Sequence, residues 1–341
     1  MRRSFKSILW LIGTLALVSS ASESPAQTWI PFDPGSRLDH AMAYDSARGR
    51  VVLFGGWDSG ALLGDTWERN GASWAQTAVT GPTPRYGHAM AYDAARGRVV
   101  LFGGYDGGLV GDTWVWDGTT WTQAASTGPV PRKFPAMAYD AARGRVVLFG
   151  GGGGGKKYGD TWEWDGATWT RRVTSSGPTP RWGHAMAYDA ARGRIVLYGG
   201  VGKKNYGDTW EWDGTSWTQT ATTGPPRLSG HAMTYDPARG RVVLFGGENS
   251  KATYGDIWEW DGTTWTLRAA SSGPIPRWGL AMVYDPVRGH VVLYGGGLAV
   301  NGGIADFSDT WEFDGAQISA ADTAGSRRMA GSPSIRGELQ P

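Results

Sequence analysis

Short apolar runs alternate with glycine-rich turns along most of the chain, and the same order of runs returns six times. In the clearest copy, residues 88–92 and 98–102 are apolar segments joined by a polar turn, and a Gly-Gly pair follows. Residues 112–116 then alternate between polar and aromatic positions, and residues 120–123 form a fourth run after an Asp-Gly turn. Runs of this length, bounded by turn residues, predict four consecutive antiparallel strands in each copy.

The six copies are evenly spaced, since their Gly-Gly pairs begin 47 to 49 residues apart, at Gly55, Gly103, Gly150, Gly199, Gly246 and Gly295. A period of this length is typical of stacked or radial units rather than one irregular core. Four strands in each of six copies predict an all-β fold, a six-bladed β-propeller. We expect the tryptophans that recur in the copies, such as Trp114 and Trp121, to pack between blades.

The sixth copy lacks an obvious fourth strand, because no tryptophan follows Asp314-Gly315. The segment Thr28-Trp29-Ile30 stands alone before the first copy. We therefore expect this N-terminal strand to complete the last blade and close the ring, which would hide an open sheet edge. On this interpretation the propeller spans residues 27–315, and residues 316–341, which are polar and aperiodic, form a disordered tail.

Residues 1–26 have the pattern of a secretory signal peptide. Three basic residues precede an apolar segment at 8–18, and small residues offer cleavage after Ala21 or Ala26. We expect a secreted or periplasmic protein with no membrane span after cleavage; a short membrane anchor is the alternative. Removal of residues 1–26 would leave equal numbers of basic and acidic residues, so a nucleic-acid partner is not expected.

The repeated residues resemble those of Kelch-repeat propellers over residues 28–315. The resemblance lies in the Arg-x-Gly-His start of the first strand, the Gly-Gly pair after the second, and the tryptophans of the third and fourth. A WD40 propeller is the alternative, because Gly-His and Trp-Asp pairs also occur, but the Gly-Gly pairs and the longer period favour Kelch. The resemblance implies blades like those of the galactose oxidase central domain and a module that binds a protein or another ligand at the channel mouth.

Two kinds of enzyme have propellers that this chain resembles. The copper site of galactose oxidase needs a tyrosine cross-linked to cysteine, and this chain has no cysteine. Bacterial sialic-acid mutarotases are similar six-bladed propellers, and for their chemistry Glu248 is the carboxylate we nominate, beside arginine groups. No metal, phosphate-loop or nucleophile motif is present. We therefore expect a non-enzymatic protein without a cofactor or a metal, with the mutarotase type as the alternative.

Candidate binding residues fall on one face of the predicted propeller, which carries the variable loops between second and third strands and the linkers between blades. Loops over a rigid scaffold commonly bind ligands. The six lysines beyond the signal all belong here: Lys133, Lys156, Lys157, Lys203, Lys204 and Lys251. Six arginines that open the first strands are expected to ring the channel mouth: Arg37, Arg85, Arg132, Arg181, Arg227 and Arg277. Such groups suit an anionic ligand, although solvated lysines and arginines paired with blade aspartates are the structural alternative.

Aromatic residues on the same face suit sugar stacking or protein contact, and they are Trp57, Tyr86, Tyr105, Trp182 and Trp278. Histidines recur at one position of the first strand, at His40, His88, His184 and His231, where a structural role is favoured over a metal site. The sequence thus predicts a monomeric binding module whose variable face takes a protein or an acidic glycan.

Overall fold

The computed structural model describes residues 33–77, 80–268, 273–300 and 302–321. The chain divides into two units, Met1–Pro31 and Phe32–Pro341, and all described residues belong to the second. The predicted signal peptide and the Thr28-Trp29-Ile30 strand lie outside the described residues. Within them the fold contains strands and turns but no helix.

Six four-stranded antiparallel sheets follow one another along the chain, and each is one blade with its strands in sequence order. Blade one contains β1 (Ala41–Asp45), β2 (Arg50–Asp58), β3 (Ala61–Asn70) and β4 (Ser73–Gln76). Blade two contains β5 (Ala89–Asp93), β6 (Arg98–Phe102), β7 (Thr113–Trp116) and β8 (Trp121–Ala125). Blade three contains β9 (Ala136–Asp140), β10 (Arg145–Phe149), the hairpin β11 (Gly152–Gly153) and β12 (Lys156–Lys157), then β13 (Thr161–Trp164) and β14 (Trp169–Arg172).

The remaining blades repeat this order. Blade four contains β15 (Ala185–Asp189), β16 (Arg194–Tyr198), β17 (Thr209–Trp212) and β18 (Trp217–Ala221). Blade five contains β19 (Ala232–Asp236), β20 (Arg241–Phe245), β21 (Ile257–Trp260) and β22 (Trp265–Arg268). Blade six contains β23 (Ala281–Asp285), β24 (His290–Tyr294), the hairpin β25 (Gly297–Val300) and β26 (Gly303–Asp306), then β27 (Thr310–Phe313) and β28 (Ile318–Ala320). The predicted six-bladed β-propeller is confirmed.

The hydrophobic core lies between neighbouring blades. The apolar part of each second strand, such as Val99 to Phe102 in β6, is at most 2 % exposed because both faces of the blade are covered. Tryptophans of the fourth strands tie one blade to the preceding one, as when Trp121 Nε1 donates to Thr66 Oγ1 at 2.9 Å. The same bond joins Trp74 of blade one to Thr310 of blade six, so the ring is closed.

The sixth blade corrects the predicted closure. Its fourth strand is β28, which pairs with β27, so the prediction that residues 28–30 occupy this position is wrong. Residues 316–321 belong to the blade, because Asp314 Oδ1 accepts the backbone N–H groups of Ala316 and Gln317 and fixes the turn before β28. Ile318 fills the place of the missing tryptophan and packs in one cluster with Ile257, the blade-five residue that replaces the usual threonine. An apolar pair thus substitutes for the indole–hydroxyl bond.

The Gly-Gly pairs are required by the closeness of neighbouring blades. A Cβ at Gly103 would lie 2.7 Å from the carbonyl oxygen of Arg132 on the next blade, and the φ of +72° also favours glycine. At the adjacent Gly104, Cβ would lie 2.9 Å from the carbonyl oxygen of Tyr86 in the same blade. Glycine at both positions lets the blade linkers lie close to the strand ends, where Gly104 N–H donates to Arg132 O at 2.9 Å, and the linkers position the candidate site.

Candidate functional site at the variable-loop face

Most of the predicted arginine ring is part of the scaffold. Arg85 Nη1 and Nη2 donate to the two carboxylate oxygens of Asp112 at 2.6 and 3.0 Å, and Nη1 also donates to Gly103 O at 3.1 Å. Trp114 Nε1 donates to the same carboxylate at 2.7 Å. Burial raises the pKa of Asp112, but the bonds from Arg85 and Trp114 outweigh it, so its pKa is lowered.

The same arginine–aspartate–tryptophan unit recurs in five blades. The other four ion pairs are Arg37–Asp65, Arg132–Asp160, Arg181–Asp208 and Arg277–Asp309. All five arginines are at most 1 % exposed. Their buried guanidinium groups match the structural alternative, in which the arginines pair with blade aspartates.

Blade five departs from this unit. Arg227 is exposed, and Leu228 takes the repeated position, since its carbonyl oxygen accepts the N–H of Gly200 just as the Arg181 carbonyl accepts that of Gly151. The order of proline and arginine in this linker differs from the other copies, so Arg227 lies three residues before the ring glycine Gly230, whereas Arg85 lies two residues before Gly87. Among the described residues, Trp258 Nε1 has no hydrogen-bond partner, consistent with the loss of an arginine-held aspartate.

Six backbone hydrogen bonds form a closed ring at the centre of the variable-loop face, and we call the residues of this ring and their immediate neighbours the mouth. Each N–H donates to the carbonyl oxygen of the equivalent residue in the preceding blade, at 2.6 to 3.2 Å. The ring consists of Asp39, Gly87, Phe134, Gly183, Gly230 and Gly279. All six have φ between +55° and +67°. Asp39 and Phe134 therefore hold a strained left-handed conformation that the other four blades give to glycine.

An aromatic platform occupies the blade-two to blade-four side of the mouth. Phe134 stacks on Trp182 with ring centroids 5.0 Å apart and lies 5.9 Å from Tyr86, which in turn lies 5.6 Å from Tyr105. Lys133 Nζ donates to Tyr86 Oη at 3.0 Å and lies 5.1 to 5.4 Å from the centroids of Tyr86, Tyr105 and Phe134. All five residues are half-buried. Their contacts bring the predicted residues Lys133, Tyr105 and Trp182 together in one cluster.

Carboxylates occupy the opposite side of the mouth. Burial, together with the charges of Glu248 and Asp306, raises the pKa of Asp39 to about 7, although Lys133 lowers it. Burial raises the pKa of Asp306 to about 6, and also raises that of Glu248. Trp278 lies beside this acidic side, over Gly230. The sequence analysis did not predict Asp39 and Asp306 as site residues. Asp39 could have been recognised from the sequence, because it stands where most other copies have glycine.

The remaining predicted residues lie farther out on the face. Trp57 is half-buried and pairs with Leu38 through a β-bridge. Lys156 and Lys157 form β12, and Lys157 Nζ donates to Gly202 O, which brings blade-three and blade-four loops together. Lys203, Lys204 and Lys251 are exposed. Every ion pair recorded among the described residues uses arginine or histidine, and none uses a lysine.

The four repeated histidines pack separately between blades. His88 lies edge-on to Phe54 of the preceding blade at 5.5 Å, and His40, His184 and His231 make the equivalent contact with Tyr294, Phe149 and Tyr198. Burial and the neighbouring Arg85 lower the pKa of His88 to about 3, and burial lowers that of His231 to about 4. The described residues contain no group of three or more histidine, aspartate or glutamate side chains placed to hold a metal ion.

Comparison with known families agrees with this architecture. The KLHDC2/KLHL20/DRC7 Kelch-repeats domain matches residues 15–165 and, in an overlapping register, residues 66–224. Together the two matches cover more than half of the chain, which therefore belongs to this family of Kelch-repeat domains. No curated protein matches the chain. Across the described segments, no helix has the length and apolar character needed to cross a membrane.

Proposed function

We propose that the protein is a secreted, non-enzymatic and monomeric binding module that recognises a protein partner through the mouth. The proposal rests on one observation: partly exposed aromatic side chains lie together with charges of both signs at the mouth. Two of these residues, Phe134 and Asp39, occupy positions of the hydrogen-bonded ring where the other blades have glycine. Aromatic residues are enriched at protein interfaces, where they combine large apolar area with low entropy cost. The Kelch-repeat fold is consistent with a protein-interaction module.

The distribution of charge favours a protein over an acidic glycan at the mouth itself. A polyanion lying across the ring would meet Asp39, Glu248 and Asp306, and like charges brought together in a partly desolvated site cost free energy. A protein surface can present both signs of charge in the required places. The mouth therefore fits a protein partner better than a chain of acidic sugars.

An acidic glycan is the second candidate, on the outer loops. Lys156, Lys157, Lys203 and Lys204 lie on adjacent loops joined by the Lys157–Gly202 hydrogen bond, and none has a carboxylate partner among the described residues. Ammonium groups without a carboxylate partner are available to sulfate or carboxylate groups of a sugar. A glycan array followed by alanine substitution of these four lysines tests this candidate, and glycan binding that is indifferent to the substitutions would refute it.

A displayed library of random peptides, selected on the intact propeller, tests the protein-binding proposal. Selected peptides are then measured against a mouth variant, Phe134→Gly/Trp182→Ala, and against Arg98→Ala, which changes an exposed residue at the start of β6. We expect at least a tenfold loss of affinity for the mouth variant, about 1.4 kcal/mol, and no loss for Arg98→Ala. Peptides that respond only to Arg98→Ala would place binding elsewhere and contradict the proposal.

The mutarotase alternative rests on Glu248, whose raised pKa suits a general acid or base. The arginines that would accompany it are buried in their ion pairs, apart from Arg227. Exchange NMR of sialic acid anomers in the presence of the protein tests this alternative. Acceleration that is lost in Glu248→Gln would establish the enzyme and replace the proposal of a purely binding function.

A further inference from the structure

Lys133 is held in place by the aromatic platform. Its ammonium group lies 5.1, 5.4 and 5.4 Å from three ring centroids and donates one hydrogen bond, to Tyr86 Oη. Cation–π attraction of this kind stabilises the ammonium group against the rings. A lysine that is already ordered loses less conformational entropy when it binds a ligand than a solvated lysine does.

The ammonium group of Lys133 retains unused binding capacity. A lysine has three N–H donors, and the described residues provide one acceptor for them. No carboxylate in the described part of the chain lies within ion-pair distance of Lys133 Nζ, whereas the arginines of the repeat are paired with aspartates. Lys133 thus differs from the scaffold cations by presenting a fixed positive charge to the solvent side of the mouth.

Phe134, the neighbour of Lys133, extends this site. Its left-handed backbone, with a φ of +55°, places the ring over Gly87 and against Trp182. A non-glycine residue in this conformation is strained, and four of the six blades avoid the strain with glycine. The result is a continuous apolar surface from Tyr105 to Trp182 with one ammonium group at its centre.

We propose that Lys133 is the specificity residue of the mouth, and that it takes the carboxylate of an aspartate or glutamate side chain from the protein partner. An apolar or aromatic residue beside that carboxylate packs on Phe134 and Trp182. A charge-assisted hydrogen bond next to a desolvated aromatic surface is stronger than one in open solvent. This inference rests on the proposed function, since it names the chemistry that the same mouth recognises.

The acidic side of the mouth restricts which acidic segments fit. Asp39 is close enough to Lys133 for the two charges to interact, and Glu248 and Asp306 act on Asp39 in the opposite sense. A partner segment with several consecutive carboxylates would place some of them near these three groups. The site therefore selects a single acidic side chain within an otherwise apolar or basic segment, because repulsion of the wrong partner contributes to specificity as much as attraction.

The peptides selected on the intact propeller test this inference through a double-mutant cycle. One arm replaces Lys133 by methionine, which keeps the apolar stem, and the other replaces the acidic residue of the peptide by its amide. We expect each single change to weaken binding at least tenfold, and the second change to add less than twofold once the first is present. Arg98→Met, at the exposed start of β6, is the control and should leave affinity unchanged.

Each other outcome has a defined meaning. Two outcomes would overturn the inference but not the protein-binding function. In the first, the selected peptides contain no acidic residue. In the second, acidic peptides bind Lys133→Met normally but lose affinity for Phe134→Gly. If no peptide depends on any mouth residue, the proposed function fails and the inference fails with it. Peptides enriched in consecutive carboxylates would also overturn it, because the acidic side of the mouth should exclude them.

Discussion

Blade four and blade five differ at one buried position, and the difference shows how the scaffold tolerates change. In blade four, Arg181 is buried and forms a bidentate pair with Asp208. In blade five, Leu228 is 1 % exposed at the same position and packs with Tyr198 and Trp260 in the core between blades. A well-packed apolar residue replaces a buried ion pair because it avoids the desolvation of the charges. The ion pair is therefore one of two solutions for the blade linker.

The largest effect is expected when one partner of the pair is removed where the other remains. Arg181→Leu copies blade five into blade four but leaves the Asp208 carboxylate without its guanidinium partner. We expect the free energy of unfolding to fall by about 3 to 5 kcal/mol, since a buried charge loses its compensation. Urea unfolding monitored by tryptophan fluorescence measures the change.

Asp256→Asn in blade five is the matched control. This aspartate is exposed, and Leu228 occupies the position from which the repeated arginine would bind it. It should change the free energy of unfolding by less than about 0.5 kcal/mol. Equal destabilisation by Arg181→Leu and Asp256→Asn would show that the two blades do not differ in the way the structure indicates.

The histidine position provides a second comparison between blades, with a different cause. His88 is buried and neutral in blade two, whereas Leu280 fills the equivalent place in blade six. The unfolded chain binds a proton at a pKa near 6.5, but the folded state binds it only near pH 3. Stability is therefore full above pH 6.5 and is lost as the pH falls below it, by about 2 kcal/mol at pH 5 for His88 alone.

We expect His88→Leu to remove this part of the pH dependence. The difference in free energy of unfolding between pH 7.5 and pH 5.0 should be about 2 kcal/mol smaller in the variant than in the wild type. Urea titrations at the two pH values give this difference and cancel any constant packing effect of the substitution. An identical pH dependence in both proteins would mean that His88 has the same pKa in the folded and the unfolded state.

The fold could be predicted from the sequence because its signals are repeated. Gly-Gly pairs, Asp-Gly turns and tryptophans occur in phase, and each copy supports the interpretation of the others. The error at β28 arose where two residues change together: Ile318 replaces a tryptophan and Ile257 replaces the threonine that the tryptophan would bond. A search for the tryptophan alone could not find a strand that packs through a different pair.

The site was predictable only in part, for a related reason. Lys133, Tyr105 and Trp182 could be predicted because they lie in the loops and linkers of the variable face. The position of the repeated arginines in the sequence, however, does not show that their side chains are buried. Asp39 is recognisable as a replaced glycine, yet its partners Glu248 and Asp306 come from blades five and six. Their closeness follows from the closure of the ring, which local sequence patterns do not encode.

Asp39 and Gly279 form the next comparison, at neighbouring positions of the hydrogen-bonded ring. Asp39→Gly removes a left-handed non-glycine residue and a desolvated carboxylate, so we expect the free energy of unfolding to rise by about 1 kcal/mol. The folded pKa of about 7 lies above the unfolded value of 3.8. The wild type therefore loses stability as the pH rises from about 3.8 to about 7, and this penalty is constant at higher pH, so the gain should be larger at pH 8 than at pH 4.

Thermal unfolding at pH 8 and pH 4 measures this gain. A decrease in stability at both pH values would show that the Asp39 side chain makes stabilising contacts that outweigh its strain. Increased stability with weaker partner binding would instead fit a residue kept for function, since strained and desolvated groups concentrate at binding sites.

The smallest effect on stability is expected for the lysines of the outer loops, which contrast with the buried arginines of the same face. Alanine at Lys156, Lys157, Lys203 and Lys204 removes exposed ammonium groups without ion-pair partners among the described residues, so the free energy of unfolding should change by less than about 0.5 kcal/mol. Urea unfolding of the fourfold variant beside Arg181→Leu provides the measurement. A loss of more than about 2 kcal/mol would show that these lysines stabilise the loops. It would also remove the basis for a glycan site there, because a side chain that is held in intramolecular contacts is not available to a ligand.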